Sequence, residues 1–206
     1  MPSSAESATE DVLRRRVKTE LRKRMRGLRQ ATPGAACAER SSRIVARLQA
    51  LEPVTRARSV ALFWPMEDRH EVDLRSLDAS LRARGARVAY PAVDPGTHVM
   101  TFRFTPGPEA LAERGLGFRE PAADAPGAGG GALDVVVVPA LAVDPRGHRI
   151  GYGAGYYDRA LSAHCPPALA VAVAFDFQLL AEIPATEGDV ATAWVVTDAR
   201  TLAAEA

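Results

Sequence analysis

The sequence predicts an α/β protein: one domain built on an open, mainly parallel sheet with helices on both faces. Two observations carry that expectation. First, SVALFWP (59–65), LDVVVVPALAV (133–143) and ALAVAVAF (168–175) are continuous apolar runs without alternation, as strands buried on both faces require. Second, a helical stretch ending at Gly85 separates the first of these runs from ARVAYPAV (86–93). Strand, helix and strand in so short a span form a βαβ unit, whose two strands run parallel.

The elements follow in chain order. Residues 1–9 are polar and read as a disordered tail, leaving 10–206 as the domain. Glu10 to Gln30 reads as a helix. Val12, Val17, Leu21, Met25 and Leu28 place one apolar stripe on it, and nine Arg or Lys residues between 14 and 29 occupy its other faces. Thr32-Pro33-Gly34 stops it. A second helix spans 35–51 with Ile44, Val45 and Leu48 inward. The βαβ helix covers 72–84, with Gly85 as its C-terminal cap. MTFRF (100–104) alternates and reads as an edge strand; 106–131 is rich in Pro, Gly and Ala, with APGAGGGA as a flexible loop. A helix over 157–163 and a last strand in AWVVTD complete the chain.

Composition narrows the function classes. A hydrophobic share of 47% with 25% charged residues is that of a globular chain. The net charge of +1 argues against a molecule that acts as a whole as a polycation for nucleic acid. Cys37 and Cys165 lie far apart without a metal-ligand pattern and are expected as ordinary thiols, and His98, His148 and His164 offer no zinc spacing. No apolar run approaches the ~20 residues of a membrane span. The acidic N-terminus has no apolar segment behind it and does not read as a signal peptide. A cytoplasmic monomer is the expectation.

The chemistry concentrates in RIGYGAGYYDR, residues 149–159. It follows the strongest strand signal and precedes a helix, and open α/β sheets bind ligands beyond the carboxyl ends of their strands. Gly151, Gly153 and Gly155 let the backbone approach an anion and take positive φ. The N–H groups there and at the helix start form an anion site, and Arg149 supplies a fork for a phosphate. Asp158 beside that anion calls for a cation between them, which points to magnesium. The pattern is neither a Walker loop nor a dinucleotide fingerprint, and a glycine-rich turn also occurs as plain structure.

DPRGHRIGYGAGYYDRAL (144–161) resembles the signature of the 5-formyltetrahydrofolate cyclo-ligase family. Other segments agree in the same order: the basic first helix, ALFWPMEDRHEVDL, YPAV, and VAFDFQLLAEIPATEGDVATAWVVTD. The resemblance covers residues 12–200 and implies a Rossmann-like sheet. It also implies ring closure of 5-formyltetrahydrofolate to 5,10-methenyltetrahydrofolate at the expense of ATP, with magnesium. By position it implies ATP contacts from Arg14, Lys18 and the run Arg149, Ile150, Gly151, Tyr152, Gly153, Ala154, Gly155, Tyr156 and Tyr157. It implies folate contacts from Trp64, Glu71, Tyr152, Gly153 and Tyr156, and metal ligation by Asp158 and Asp189. Arg149, Tyr157 and Asp158 are the expected catalytic set. Arg14 and Lys18 stand in the opposite order from the family's usual Lys and Arg, and two extra residues lie between Met66 and Glu71.

Rival readings stay open at this level. One is a silent paralogue that only binds folate or nucleotide; another is a different enzyme on the same fold. The basic first helix also suits RNA or an acidic partner, but it lacks aromatics for base stacking. Nucleic-acid binding is therefore expected to be weak and lost at about 0.15 M salt; tight retention of RNA at that ionic strength in a filter-binding titration would overturn this.

Overall fold

The computed structural model describes residues 4–115 and 117–204. Strand β1 (Ser59–Ala61) sits centrally. On one side lies β2 (Arg87–Val93), parallel to β1, then β3 (Met100–Phe104), antiparallel at the edge. The hairpin strands β4 (Ala112–Glu113) and β5 (Arg119–Glu120) stand apart from the sheet. On the other side of β1 lies β6 (Val135–Pro139), also parallel, and beyond it the small ribbon of β7 (Ala142–Val143) and β8 (Arg149–Ile150) leaves the sheet. Next come β9 (Leu169–Val173) and β10 (Trp194–Val196), parallel again, and β11 (Thr201–Ala203), antiparallel at the far edge. The sheet order is thus β11-β10-β9-β6-β1-β2-β3. Strand order reverses between β1 and β6, the switch point where open α/β sheets place ligands.

The apolar runs are buried on both faces, as expected. Val60, Val88, Val135, Val137, Val171 and Val173 face one side with Ile44, Leu48, Val54, Leu77 and Leu81. These come from the helices α2 (Gly34–Ala50), α3 (Glu52–Arg56) and α4 (Arg75–Ala83). Their neighbours Ala61, Ala89, Val136, Val138, Ala170 and Ala172 face the other side, under Ala160 and Leu161 of α5 (Tyr156–His164). The Asp134 carboxylate accepts the Arg58 and Ser59 N–H groups at 2.8 and 2.9 Å and the Ser59 hydroxyl at 2.9 Å, pinning the start of β1 beside β6.

Several expectations change. The first helix, α1, runs Ser4–Ala31, so residues 4–9 of the expected tail are helical; residues 1–3 lie outside the described part. Ala5, Glu6 and Ala8 are good helix formers and extend it. The apolar stripe read on α1 is inward only in part: Met25 is buried and Leu21 half-buried, but Val12, Val17 and Leu28 are about half exposed, and Leu13 too. The buried face runs through Lys18, Met25 and Arg29, at 5%, 2% and 4% exposure. The 72–84 helix starts at Arg75, after a 3-10 turn at Glu67–Arg69. β1 is short because Phe63–Pro65 leave the sheet, with Pro65 lacking an N–H to pair. APGAGGGA is not a free loop: Phe104 N–H donates to Pro126 O and Ala128 N–H to Phe102 O, both at 2.8 Å, along the outer edge of β3. AWVVTD is followed by one more strand, β11.

His164 ends α5 at 8% exposure, its ring against Phe102 (centroids 5.4 Å apart), with no hydrogen-bond partner for Nδ1 among the described residues. Burial holds its pKa below the usual imidazole value. The unfolded chain therefore takes up a proton that the folded one resists, and stability is lost as pH falls below about 6.5. Urea unfolding of the native chain and of His164→Gln between about pH 5 and 7 should show a steeper decline in the native chain; parallel curves would refute the assignment.

Candidate active site

At the switch point the chain ends of β1 and β6 diverge and leave a cleft of about 540 Å³. Its floor is Phe63, Trp64, Pro91 and Pro139; α1 lines one wall with Arg15, Lys18, Thr19 and Arg22, and the glycine segment the other, from Gly151 to Asp158. Met66, Arg69, Glu71, Met100, Phe118, Arg149, Thr186 and Asp189 complete it.

The glycine segment is built as a turn into α5. Gly153 and Gly155 have φ of 106° and 67°, a region costly for any side-chain-bearing residue. Gly151 does not take positive φ, contrary to expectation; a Cβ there would meet nothing within 4 Å, so its role is an open approach rather than a strained turn. Arg22 of α1 reaches across, Nε donating to Gly151 O at 3.1 Å. Upstream, the fully buried Asp144 carboxylate accepts N–H groups of Arg146, His148 and Ile183 at 3.0, 3.0 and 2.8 Å. This ties the β7–β8 turn to the segment that carries Thr186 and Asp189.

One end of the cleft is a cluster of paired charges. Lys18 Nζ donates to Asp189 and, at 3.0 Å, to the Thr186 hydroxyl. The Thr186 N–H also donates to Asp189, at 2.6 Å. Lys18 and these hydrogen bonds hold the Asp189 carboxyl below its usual range against the desolvation that raises it. Opposite, Arg149 donates to Asp158 Oδ1 at 2.6 Å and to Val190 O, and the Val190 N–H donates to Asp158 Oδ1 at 3.3 Å. Arg149 is thus the cation paired with Asp158 among the described residues. Two of its five N–H donors thus hold protein acceptors. Oδ2 of Asp158 and Oδ1 of Asp189 carry no hydrogen bond among the described residues.

The other end is an aromatic and carboxylate pocket. Trp64 lies edge-on to Tyr90 (6.2 Å) with the Arg119 guanidinium over it at 5.3 Å. Glu71, 6% exposed, follows the 3-10 turn and His70, whose left-handed backbone (φ 48°) folds the chain back. The Met66 N–H donates to Glu71 Oε2 at 2.9 Å, and the Tyr152 hydroxyl donates to Oε1 at 2.8 Å. Burial pushes the Glu71 carboxyl up, while the Met66 N–H, Arg29, Tyr152 and Arg69 pull it back. Burial and the Glu71 charge push the Tyr152 hydroxyl up to about 12. Burial, then Glu71, raises Tyr157 as well.

Most residues singled out in the sequence meet in this cleft: Lys18, Trp64, Glu71, Arg149, Gly151 to Asp158, and Asp189. Two do not line it. Arg14 turns to Ala185 O (2.9 Å) and Glu10 (2.6 Å). Ile150 alternates away from Arg149 on β8 into a small core with Met25, Leu141 and Ile183. Arg15, Arg22, Arg69, Phe118 and Thr186 line the cleft without having been singled out. Helical spacing from Lys18 identifies the first two; nothing local identifies the others.

A glycine segment at a switch point, flanked by buried cations and a deeply buried carboxylate, defines an α/β enzyme that handles an anionic ligand. The model of the 5-formyltetrahydrofolate cyclo-ligase family matches residues 14–198, and the chain belongs to that family. It is 31% identical over 167 residues to the 5-formyltetrahydrofolate cyclo-ligase of Escherichia coli K12, across 79% of this chain and 90% of that one. It is 46% identical over 103 residues to the enzyme of the same name from Mycolicibacterium smegmatis, a match spanning 50% of this chain and 52% of the relative. The NMR structure of Aquifex aeolicus 5,10-methenyltetrahydrofolate synthetase superposes with a TM-score of 0.80 at 26% identity, covering 92% and 94% of the two chains. The chain has the family's 5-formyltetrahydrofolate cyclo-ligase activity, a step of folate one-carbon metabolism whose ring closure implies ATP use. No helix among the described residues is long and apolar enough to cross a membrane.

Lys18 and Arg14 separate cleanly by position. Lys18→Met should lower kcat/KM for ATP about tenfold or more, since it strips a desolvated cation from the cleft. Arg14→Ala should stay within about threefold, losing an exposed pair and one backbone contact. Steady-state kinetics of both variants checks this, and equal losses would return Arg14 to the site.

Proposed function

We propose that the cleft divides into an ATP end at Lys18, Arg149, Asp158 and Asp189 and a folate end at Trp64, Glu71 and Tyr152. The carrying observation is that the glycine segment 151–155 lies between them, with one Tyr, Tyr152, turned to Glu71 and the Asp158 end turned to Arg149. In the reaction, the formyl oxygen of 5-formyltetrahydrofolate attacks the γ-phosphorus of ATP and ADP leaves. N10 attacks the carbon of the resulting iminium phosphate and loses its proton, and the C–O bond breaks to release phosphate and form 5,10-methenyltetrahydrofolate. An amide oxygen leaves only once phosphorylated, so the two substrates must lie side by side.

Each part has a physical task. Lys18 and the N–H groups of 151–156 offset charge on the phosphates. Trp64, Met100, Phe118 and Pro91 offer an apolar bed for the pterin. Glu71, fixed by Met66 and Tyr152, accepts hydrogen bonds from the pterin. Arg149 sets the orientation of Asp158. Asp158 and Asp189 each keep one unbonded oxygen beside the phosphate end, which suits magnesium, an ion that takes one or two carboxylates together with substrate phosphates. When bound, it would neutralise charge on the transferring phosphoryl group.

A spectrophotometric assay with 5-formyltetrahydrofolate, ATP and magnesium tests the scheme. The near-ultraviolet absorbance of the methenyl product should rise only with all three present. Asp158→Asn and Asp189→Asn should each lose more than about tenfold in turnover, and Glu71→Gln should mainly raise the KM for folate. Near-normal rates in both Asp variants would remove the metal assignment.

A further inference from the structure

We propose that Arg29 is a positioning residue of the folate end: its guanidinium fixes the Tyr152 hydroxyl and supplies the counter-charge against which Glu71 is buried. This rests on the folate reading of that end of the cleft.

Arg29 lies in the last turn of α1, where a basic residue ordinarily faces solvent and complements the helix dipole. Here it is only 4% exposed. A buried guanidinium without partners would be costly, so its contacts matter. It donates to the Tyr152 hydroxyl, and its Cζ lies 5.7 Å from that ring's centroid. The hydroxyl, having accepted from Arg29, donates its own proton to Glu71 Oε1 at 2.8 Å. Donor, bridge and acceptor thus come from α1, the glycine segment and the 66–71 turn.

The chain of bonds has one consistent polarity. A guanidinium only donates and a carboxylate only accepts, so Tyr152 must direct its single proton toward Glu71. That leaves the hydroxyl with no freedom to turn away, and it fixes the ring beneath the ligand path. The groups facing Glu71 are Arg29 from α1, Arg69 and the Met66 N–H from its own turn, Tyr152, and Tyr157 from α5. Arg69 is the second cation there, but it lies on the same exposed turn, with its side chain 43% open. Arg29 is the buried one, so its field on Glu71 is screened least. His70 adds a brace: its Nδ1 lies 3.3 Å from Arg29 O.

The test compares Arg29→Met and Arg29→Lys with the native chain in two readouts. Carbon-13 NMR of labelled, ligand-free protein follows the Glu71 carboxyl, assigned by its loss in Glu71→Gln. Its titration midpoint should rise by on the order of one pH unit in Arg29→Met and return most of the way in Arg29→Lys. In kinetics, Arg29→Met should lower kcat/KM for 5-formyltetrahydrofolate about tenfold or more while the KM for ATP stays within about twofold. An unmoved Glu71 midpoint, or equal losses on both substrates, overturns the proposal. Should Arg29→Met fail to fold, Arg29→Lys and Tyr152→Phe decide it by the same two readouts. A native chain without cyclo-ligase turnover would sink the folate reading separately, since the NMR titration needs no substrate.

Discussion

Lys18 is an ammonium with almost no access to water, held between the Asp189 carboxylate and the Thr186 hydroxyl. A charge so placed survives only if its partner is fixed in advance. Asp189 is fixed by Thr186, Thr186 belongs to a segment anchored through Ile183 to Asp144, and Asp144 also closes the turn that aims Arg149. From there the constraint passes to Asp158 and the start of α5. The glycine segment is therefore held at both ends by buried ionic groups before any ligand arrives, the preorganisation that charge transfer between two bound substrates needs.

The sheet supplies the frame but little of the chemistry. One face packs against three helices and the other, with Ala and Val mixed, against one, and the strand order reverses where the cleft opens. What the sheet contributes directly is the way β1 stops short: Phe63, Trp64 and Pro65 depart from it and become the floor.

Much of this was legible in the chain. The uninterrupted Val and Ala runs could only be central strands, and the glycine segment after the longest run marked the switch point. Asp158 stood in the glycine segment itself, whereas Asp189 was singled out only through the family resemblance. The misreadings have a common physical origin. On α1 the expected inward stripe joined Val12, Val17, Leu21, Met25 and Leu28, because apolar residues normally choose the buried face. Here Leu21 and Met25 share that face with the buried Lys18 and Arg29, while Val12, Val17 and Leu28 are left about half exposed. Ile150 was placed with its neighbours in a linear motif, although strand alternation turns it to the opposite side. The hairpin bearing Phe118 and the turn bearing Arg69 join the cleft through long-range folding that no local pattern encodes.

The docking of α1 has a consequence for how function can be lost. Few large apolar side chains hold the helix down; Met25 and Leu21 share a small cluster with Leu141, Ile150 and Ile183, and the remaining contacts are polar and ionic. The seven-stranded core closes without it. Detachment of α1 is thus a local opening, lower in free energy than unfolding of the sheet. It would remove Lys18 and Arg22 from the cleft, and Arg29 from Tyr152, together. Such an opening would silence the molecule while leaving its core intact.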